Sequence, residues 1–178
     1  MSSPTDAASR TPNDMPPVIV DGSLTLVRSA TIRARGYWDK VRGERAVPTR
    51  QDINPRGMRE FLAHVTLVEI QETAGGTIDY QIRLAGSVIE EVFGAISGKP
   101  ISETLPPETV RRWRGFMETV RESAEPLRVA SRVAFQNKTW LASELFVAPL
   151  GQNGKATMLF VAAEDMWPVA APPGAIRR

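Results

Sequence analysis

The sequence contains no cysteine and one histidine, His64, among its 178 residues. Without cysteine the chain has no disulfide, no thiolate ligand for zinc or an iron–sulfur cluster, no thiol nucleophile and no cysteinyl flavin adduct. One histidine is too few for a structural zinc site, and nothing in the sequence places it in a serine–histidine–aspartate arrangement. We therefore predict no metal site, no bound cofactor and no enzymatic activity.

Long apolar runs are also lacking. No segment approaches the ~20 apolar residues that cross a bilayer, so no membrane span is expected. The N-terminus, MSSPTDAASRTPNDMPP, lacks the apolar stretch of a secretory signal. Its polar, proline-rich composition predicts a disordered tail over residues 1–22, and residues 166–178 are expected to form a flexible C-terminal tail. These features favour a cytoplasmic protein.

Charge is nearly balanced over the chain, with a formal net charge of +2. Between Arg28 and Arg59, however, nine basic and three acidic residues give a local net charge of +6. Such a face attracts nucleic acid, anionic lipid or an acidic partner, or it is a solvated helix face with structural arginine–aspartate pairs. The second interpretation is favoured because such clusters are common on ordinary surfaces, and no nucleic-acid partner is expected.

Residues 23–63 are predicted to form a helical extension followed by a connector. Apolar residues recur at spacings of three and four from Ser23 to Gly43, which predicts a helix with Ser23 as its N-cap. The pair Asn54–Pro55 is typical of a helix start and predicts a short helix that ends near Ala63.

Residues 64–165 are predicted to form the core domain. HVTLVEIQ and TIDYQIRL predict a β-hairpin whose second strand places Ile78, Tyr80, Ile82 and Leu84 on one face. AGSVIEEVFG and PPETVRRWRGFMETVRES predict two helices, and PLRVASRVAF, TWLASELFVAPL and KATMLFVAAE predict three more strands. Because strands and helices are segregated, we expect an α+β domain with a five-stranded antiparallel sheet and short central helices.

Two segments resemble a known family. YWDKVRGERAVPTRQDINP, from Tyr37 to Pro55, is similar to the pattern Y-W-x3-R-G-x-R-x2-P-x-R-x-D-I-[DN]-P, and YQIRLAGSVIEEVFGAISGKPISE is similar to the block that follows it. Both are typical of PAS_5-type proteins, small stand-alone PAS-like proteins of alphaproteobacteria. The resemblance covers about Ala30 to Asp165 and implies a PAS fold with a sensory or regulatory role. Asn54 departs from the aspartate usual in the family, but it still suits a helix cap.

The resemblance also implies where a ligand would lie, because PAS domains bind ligands between the inner sheet face and the central helices. The alternative is that the same side chains fill an ordinary core. Haem is not expected, since the long helix over residues 108–123 carries no histidine. The candidate lining residues are Tyr80, Ile82, Phe93, Trp113, Phe116, Met117, Trp140, Phe146 and Met158.

The segment FGAISGKPIS contains two glycines and a lysine but is not a phosphate-binding loop. Three residues, not four, separate Gly94 from Gly98, and Pro100 stands where a Walker A loop needs a hydroxyl. We expect these glycines to shape a turn beside the ligand space.

The motif RGERAVPTRQD supplies a second candidate region: Trp38, Arg42, Arg45, Arg50 and Asp52. Arginine–carboxylate pairs would pin this connector against the core. The alternative is that two or three of the arginines dock an anionic ligand.

These features together predict a non-enzymatic sensory module that binds a small ligand. Its output would pass through a protein partner or through a homodimer formed by the helix Ser23–Gly43. The alternative is a protein-interaction adaptor with a filled core and no ligand.

Overall fold

The computed structural model describes residues 19–132 and 141–168. The strands and helices of this part of the chain are β1 (Ile19–Asp21), α1 (Ser29–Arg42), β2 (Val65–Glu72), β3 (Ile78–Ala85), α2 (Ser87–Phe93), α3 (Ile101–Thr104), α4 (Pro107–Ser123), β4 (Leu127–Arg132), β5 (Leu141–Gln152) and β6 (Lys155–Pro168). The predicted end of β4 beyond Arg132 and the predicted start of β5 at Thr139 lie outside the described residues.

The strands form one antiparallel sheet in the order β1-β4-β5-β6-β2-β3, which confirms the predicted α+β class. The predicted number of five strands is wrong, because a sixth strand lies at the edge. Ile19–Asp21 pairs with β4 and extends the sheet by three residues. Three residues are too few to show the alternation by which strands are recognised in a sequence, and they follow directly on the proline-rich N-terminal stretch.

Both faces of the sheet are covered. Helices α2, α3 and α4 lie on one face, over a set of buried apolar residues that we call the inner cluster; Val68, Val129 and Val147 are members from three strands. Helix α1 and the connector lie on the opposite face, over a second set that we call the outer cluster; Phe146 and Phe160 are its members from β5 and β6. Neighbouring residues of a strand point to opposite faces, so β5 and β6 contribute to both clusters.

Helix α1 begins at Ser29, six residues later than predicted. Ser23 does not cap it, because the Ser23 backbone N–H and hydroxyl both donate to the carboxylate of Asp21. The caps come from the sheet instead. Glu144 of β5 accepts hydrogen bonds from the backbone N–H groups of Val27 and Arg28, and Glu164 of β6 accepts one from Ala30.

The predicted face of β3 is only partly correct. Tyr80 and Ile82 are buried in the inner cluster, but Leu84 is 40% exposed. The register of the β2–β3 pair shifts between Leu67 and Val68, so that Leu84 pairs with Leu67 and Ile82 pairs with Val68. This β-bulge turns Leu84 to the face that carries the outer cluster, which alternation alone does not reveal.

The connector is built from short 3-10 turns rather than one helix to Ala63: Arg50–Asp52, Pro55–Met58 and Leu62–His64. The predicted cap is confirmed, since Asn54 Oδ1 accepts a hydrogen bond of 2.9 Å from the backbone N–H of Arg56. Within the ranges that the structure describes, no helix is long and apolar enough to cross a membrane.

Candidate functional site

The inner cluster brings together most of the residues that were predicted to line a ligand space. Tyr80, Ile82, Phe116 and Met117 are buried there. Phe93 of α2 and Trp113 of α4 pack against the cluster while remaining partly exposed. The rings of this last pair meet edge to face, with their centroids 5.2 Å apart, and so join two helices over the same sheet face.

Two of the predicted lining residues belong to the opposite face of the sheet. Phe146 is buried in the outer cluster, and Met158 packs against that cluster from the same side. Their side chains point to α1 because they occupy the strand positions that alternate with Val147 and Leu159 of the inner cluster. Trp140 lies outside the described residues.

A chain of polar groups runs along one side of the inner cluster. The Tyr80 hydroxyl donates a 2.5 Å hydrogen bond to Glu118 Oε2, and Glu118 also pairs with Arg121. Burial raises the pKa of the Tyr80 hydroxyl, and the Glu118 carboxylate raises it further. The hydrogen bond from Arg121 lowers the pKa of Glu118. Tyr80 therefore stays a protonated donor at neutral pH, beside a carboxylate that stays charged.

A second ion pair connects β3 to α4. Arg114 donates to Asp79 Oδ1 at 2.7 Å and to the backbone carbonyl of Ile78 at 2.6 Å. Its guanidinium carbon also lies 5.9 Å from the centre of the Tyr80 ring. The edge of the inner cluster along β3 is thus fixed by charged side chains from α4.

The segment between α2 and α3 lies along the edge of β3, as a turn and not as a phosphate-binding loop. Gly94 and Gly98 have φ values of +81° and +80°, which only glycine adopts readily. The N–H of Gly98 donates to the carbonyl of Ile82, and the N–H of Ile82 donates to the carbonyl of Lys99. Lys99 Nζ donates to the carbonyl of Ala95, so this ammonium group is bound by the turn itself. Ile96, at 2% exposed, closes the inner cluster from this side.

The predicted motif residues at the end of α1 hold the connector together. Trp38 is buried, and its Nε1 donates a 2.9 Å hydrogen bond to the carbonyl of Pro149 in β5. The guanidinium of Arg42 lies over the Trp38 ring, 5.2 Å from its centre. Arg45 pairs with Asp52 at 2.9 Å and also donates to two backbone carbonyls of α1.

The remaining motif contacts are local as well. Asp52 accepts from both the N–H and the hydroxyl of Thr49, and Arg50 donates to the carbonyl of Ile53. The hydrogen bonds from Arg45 and Thr49 lower the pKa of Asp52 to about 2. The side chains of Arg45 and Arg50 are thus engaged by the connector and by the end of α1.

Sequence reasoning missed Glu144, which is fully buried at 0% exposure. Besides the two N–H groups before α1, it accepts hydrogen bonds from the Thr31 hydroxyl at 2.6 Å and from Arg128 Nε at 2.7 Å. Burial raises the pKa of this carboxyl, but the hydrogen bonds outweigh burial and lower it. The available signal was a glutamate in the middle of LASELFVAPL, since a charge in an apolar strand requires partners.

A cleft of about 320 Å³ opens on the outer side of the molecule, between α1 and the connector. Arg33, Gly36, Tyr37 and Lys40 line the α1 side, and the other side is lined by Arg56, Gly57, Arg59, Glu60 and Phe61. The cleft does not involve the inner cluster.

The single histidine has a structural contact. His64 Nδ1 lies 2.9 Å from the carbonyl oxygen of Ala163 in β6. Among the residues described, no group of three or more histidine or carboxylate side chains is placed to hold a metal ion.

Comparisons with known proteins give a family match and several structural likenesses. A family model described as PAS domain matches residues 26–163. The structure resembles the crystal structure of a Rhodobacter sphaeroides LOV protein, with 16% sequence identity and a TM-score of 0.42 over 64% of this chain and 69% of that one. It also resembles an RNA-binding light-oxygen-voltage receptor, with 16% identity and a TM-score of 0.41 over 66% of this chain and 35% of the receptor. No curated protein matches the sequence.

Proposed function

Since this chain belongs to the PAS domain family, whose model spans residues 26–163, we propose that it is a non-enzymatic sensory or regulatory module. It binds a small ligand between the sheet and α2–α4, and it signals through a protein partner or through self-association. The observation that carries the proposal is the edge of the inner cluster, where the partly exposed pair Phe93 and Trp113 adjoins an otherwise apolar layer.

The chemistry of this layer suits a small, largely apolar ligand. Ligand sites are typically lined by apolar and aromatic side chains, with a few polar groups that fix orientation. Here Tyr80 and Glu118 supply a fixed polar pair beside an apolar cluster. A ligand with one polar end and a flat apolar body matches such a lining.

The sheet offers a route from the ligand layer to α1. In β5, Leu145 and Val147 face the inner cluster, while Phe146 faces the outer cluster. The neighbouring Glu144 holds the start of α1 through the backbone N–H groups of Val27 and Arg28. A ligand that shifts β5 therefore shifts the anchor of α1, and the exposed side of α1 is where we place the contact with a partner.

Native mass spectrometry of protein purified from its own host tests the proposal directly. We expect a non-covalent adduct that denaturing conditions release. Trp113→Leu and Phe146→Leu each replace an aromatic ring with leucine, on opposite faces of the sheet. Trp113→Leu should reduce the bound fraction at least tenfold, whereas Phe146→Leu should retain the ligand despite a lower melting temperature.

An adduct-free protein, or equal retention in the two variants, would contradict the ligand proposal. Either result would favour the alternative, an adaptor with a filled core that acts through its surface. Val27 and Ile32, next to and on α1, are 55% and 49% exposed and would then be the first residues to test for partner contact.

A further inference from the structure

The cleft between α1 and the connector carries an excess of positive charge that the described part of the chain does not neutralise. Arg33 and Lys40 lie on the α1 side, and Arg56 and Arg59 lie on the other side. Its one carboxylate, Glu60, forms an ion pair with Arg33 across the cleft. Within residues 19–132 and 141–168, the side chains of the other three cations form no ion pair. The lining therefore has three uncompensated positive charges.

Two neighbouring arginines, by contrast, form ion pairs with aspartates. Arg42 pairs with Asp39, and Arg45 pairs with Asp52. Ion pairs thus engage these two arginines, whereas Lys40, Arg56 and Arg59 of the cleft form none among the residues that the structure describes. An anion from outside the chain would balance the positive charge of the cleft.

A second observation concerns Gly36, in the middle of α1. Glycine is disfavoured inside a helix, and it is tolerated where another group comes close to the backbone. A Cβ atom built on Gly36 meets nothing within 4 Å, so no contact in the described structure requires glycine there. By contrast, a Cβ on Gly57 would lie 2.7 Å from Tyr37 Cε2, so packing within the chain explains that glycine. Gly36 leaves the helix backbone open at the floor of the cleft.

The size of the cleft limits what it can hold. Its volume of about 320 Å³ is at the lower end of the range for small-molecule sites, roughly 300–1,000 Å³. The three unpaired cations enter the cleft from both of its sides, Lys40 from α1 and Arg56 and Arg59 from the connector. A ligand that contacts all three is better served by two or three linked phosphate groups than by a single phosphate.

The surroundings argue against an extended polyanion. The Tyr37 ring packs edge to face on Phe61, 6.0 Å between centres, and it lies against Gly57, so it is not presented as a platform for nucleic-acid bases. Beyond the cleft, the exposed Ile32 on α1 offers an anion no charge. The cleft itself therefore gives an extended single strand no aromatic platform on which to stack its bases.

We propose that this cleft binds a small phosphorylated molecule that bears two or more linked phosphates, held by Lys40, Arg56 and Arg59 and lying close to the backbone at Gly36. The site is separate from the inner cluster and does not depend on a ligand there. Because α1 forms one side of the cleft and the connector forms the other, a bound anion joins the two and stabilises the docked position of α1.

Isothermal titration calorimetry and thermal melting of the full chain, with inorganic pyrophosphate and triphosphate as probes, test this site. We expect saturable binding and a rise in melting temperature, with sulfate at equal ionic strength much weaker. Lys40→Ala and Arg56→Ala should each weaken binding about tenfold or more. Lys155→Ala removes an equal charge from the exposed β5–β6 turn and should leave the affinity unchanged.

Gly36→Leu provides an independent test, since it fills the floor of the cleft without removing a charge. It should abolish pyrophosphate binding while preserving or raising the melting temperature of the free protein. The proposal is overturned if Lys40→Ala and Lys155→Ala weaken binding equally, or if Gly36→Leu binds normally. Tighter saturable binding of a ten-nucleotide single strand or of a polyglutamate peptide would also overturn it.

Discussion

At the scale of single residues, Glu144 shows how one buried charge decides the position of an element. Its carboxylate accepts hydrogen bonds from two backbone N–H groups, a hydroxyl and a guanidinium. It also lies at the start of α1, where the helix dipole favours negative charge. Four different donors converge on this one side chain, so no neutral residue of similar shape replaces it.

We expect Glu144→Gln to lower the free energy of unfolding at pH 7 by about 3 kcal/mol, because it leaves the partners of a buried carboxylate unpaired. Glu108→Gln is the matched control: it breaks the exposed ion pair with Arg111 and should cost less than about 1 kcal/mol. Urea denaturation monitored by tryptophan fluorescence measures both. Equal effects of the two substitutions would contradict the anchoring role.

The charge of Glu144 also makes the stability of the protein depend on pH. The folded-state pKa of Glu144 is lower than its ordinary value of 4.5, so its stabilising contribution is complete above that value. It is lost as the pH falls through the lower, folded-state pKa. The difference in stability between the parent protein and Glu144→Gln should therefore narrow below about pH 4. A difference that stays constant from pH 7 to pH 3 would show that the charge of Glu144 is not the cause.

At the scale of elements, α1 has one face packed against the sheet and one face open to solvent. Ala34 is fully buried against the outer cluster, whereas Gly36, two residues later, faces open space. Ala34→Leu should destabilise the protein by about 1–3 kcal/mol through overpacking. Gly36→Ala should stabilise it by up to about 1 kcal/mol through helix propensity. Thermal or urea denaturation measures the change in stability for both substitutions. Changes of the same sign would mean that α1 is not docked as described.

The elements also show which features of the fold can be predicted from the sequence. Helix α4 and the strand β2 were predictable because their apolar spacing is local, and the Asn54 cap was predictable from two adjacent residues. The true start of α1 was not, because its capping carboxylate on Glu144 is 117 residues away from Val27 in the sequence. The bulge that reverses Leu84 depends on the register with β2, which no pattern within β3 records.

The same distinction between local patterns and long-range contacts applies to the residues of the candidate site. Tyr80, Ile82, Phe116 and Met117 were placed correctly because each lies on a regular stripe of its own element. Phe146 was misplaced because β5 is apolar on both faces, so the sequence does not indicate which of two adjacent side chains points inward. The cleft beside α1 was not foreseen, since it depends on how the connector folds back against the helix.

At the scale of the whole molecule, one sheet supports two layers of helices. The inner and outer clusters share β5 and β6, with alternate residues of each strand in each cluster. Neither layer keeps its packing when the strands between them separate. The two layers are therefore parts of a single folding unit.

We expect a single cooperative unfolding transition at neutral pH, with equal calorimetric and van't Hoff enthalpies. Trp38 and Trp113 are two of the four tryptophans and lie in different layers, so the fluorescence lost in Trp38→Phe and the fluorescence lost in Trp113→Phe report on different layers. In each variant, fluorescence and circular dichroism should give the same midpoint. Separate midpoints for the two signals would show that α1 leaves the sheet before the inner layer unfolds.

The outer cluster also determines how far this protein can be shortened. A fragment that begins at residue 64 would include every strand from β2 to β6. It would nevertheless expose Phe146, Leu150 and Phe160 to water as one continuous apolar surface. Such a fragment should aggregate or recruit a hydrophobic partner. The residues of α1 and the connector are therefore an integral part of the domain, because they cover an apolar sheet face that would otherwise contact water.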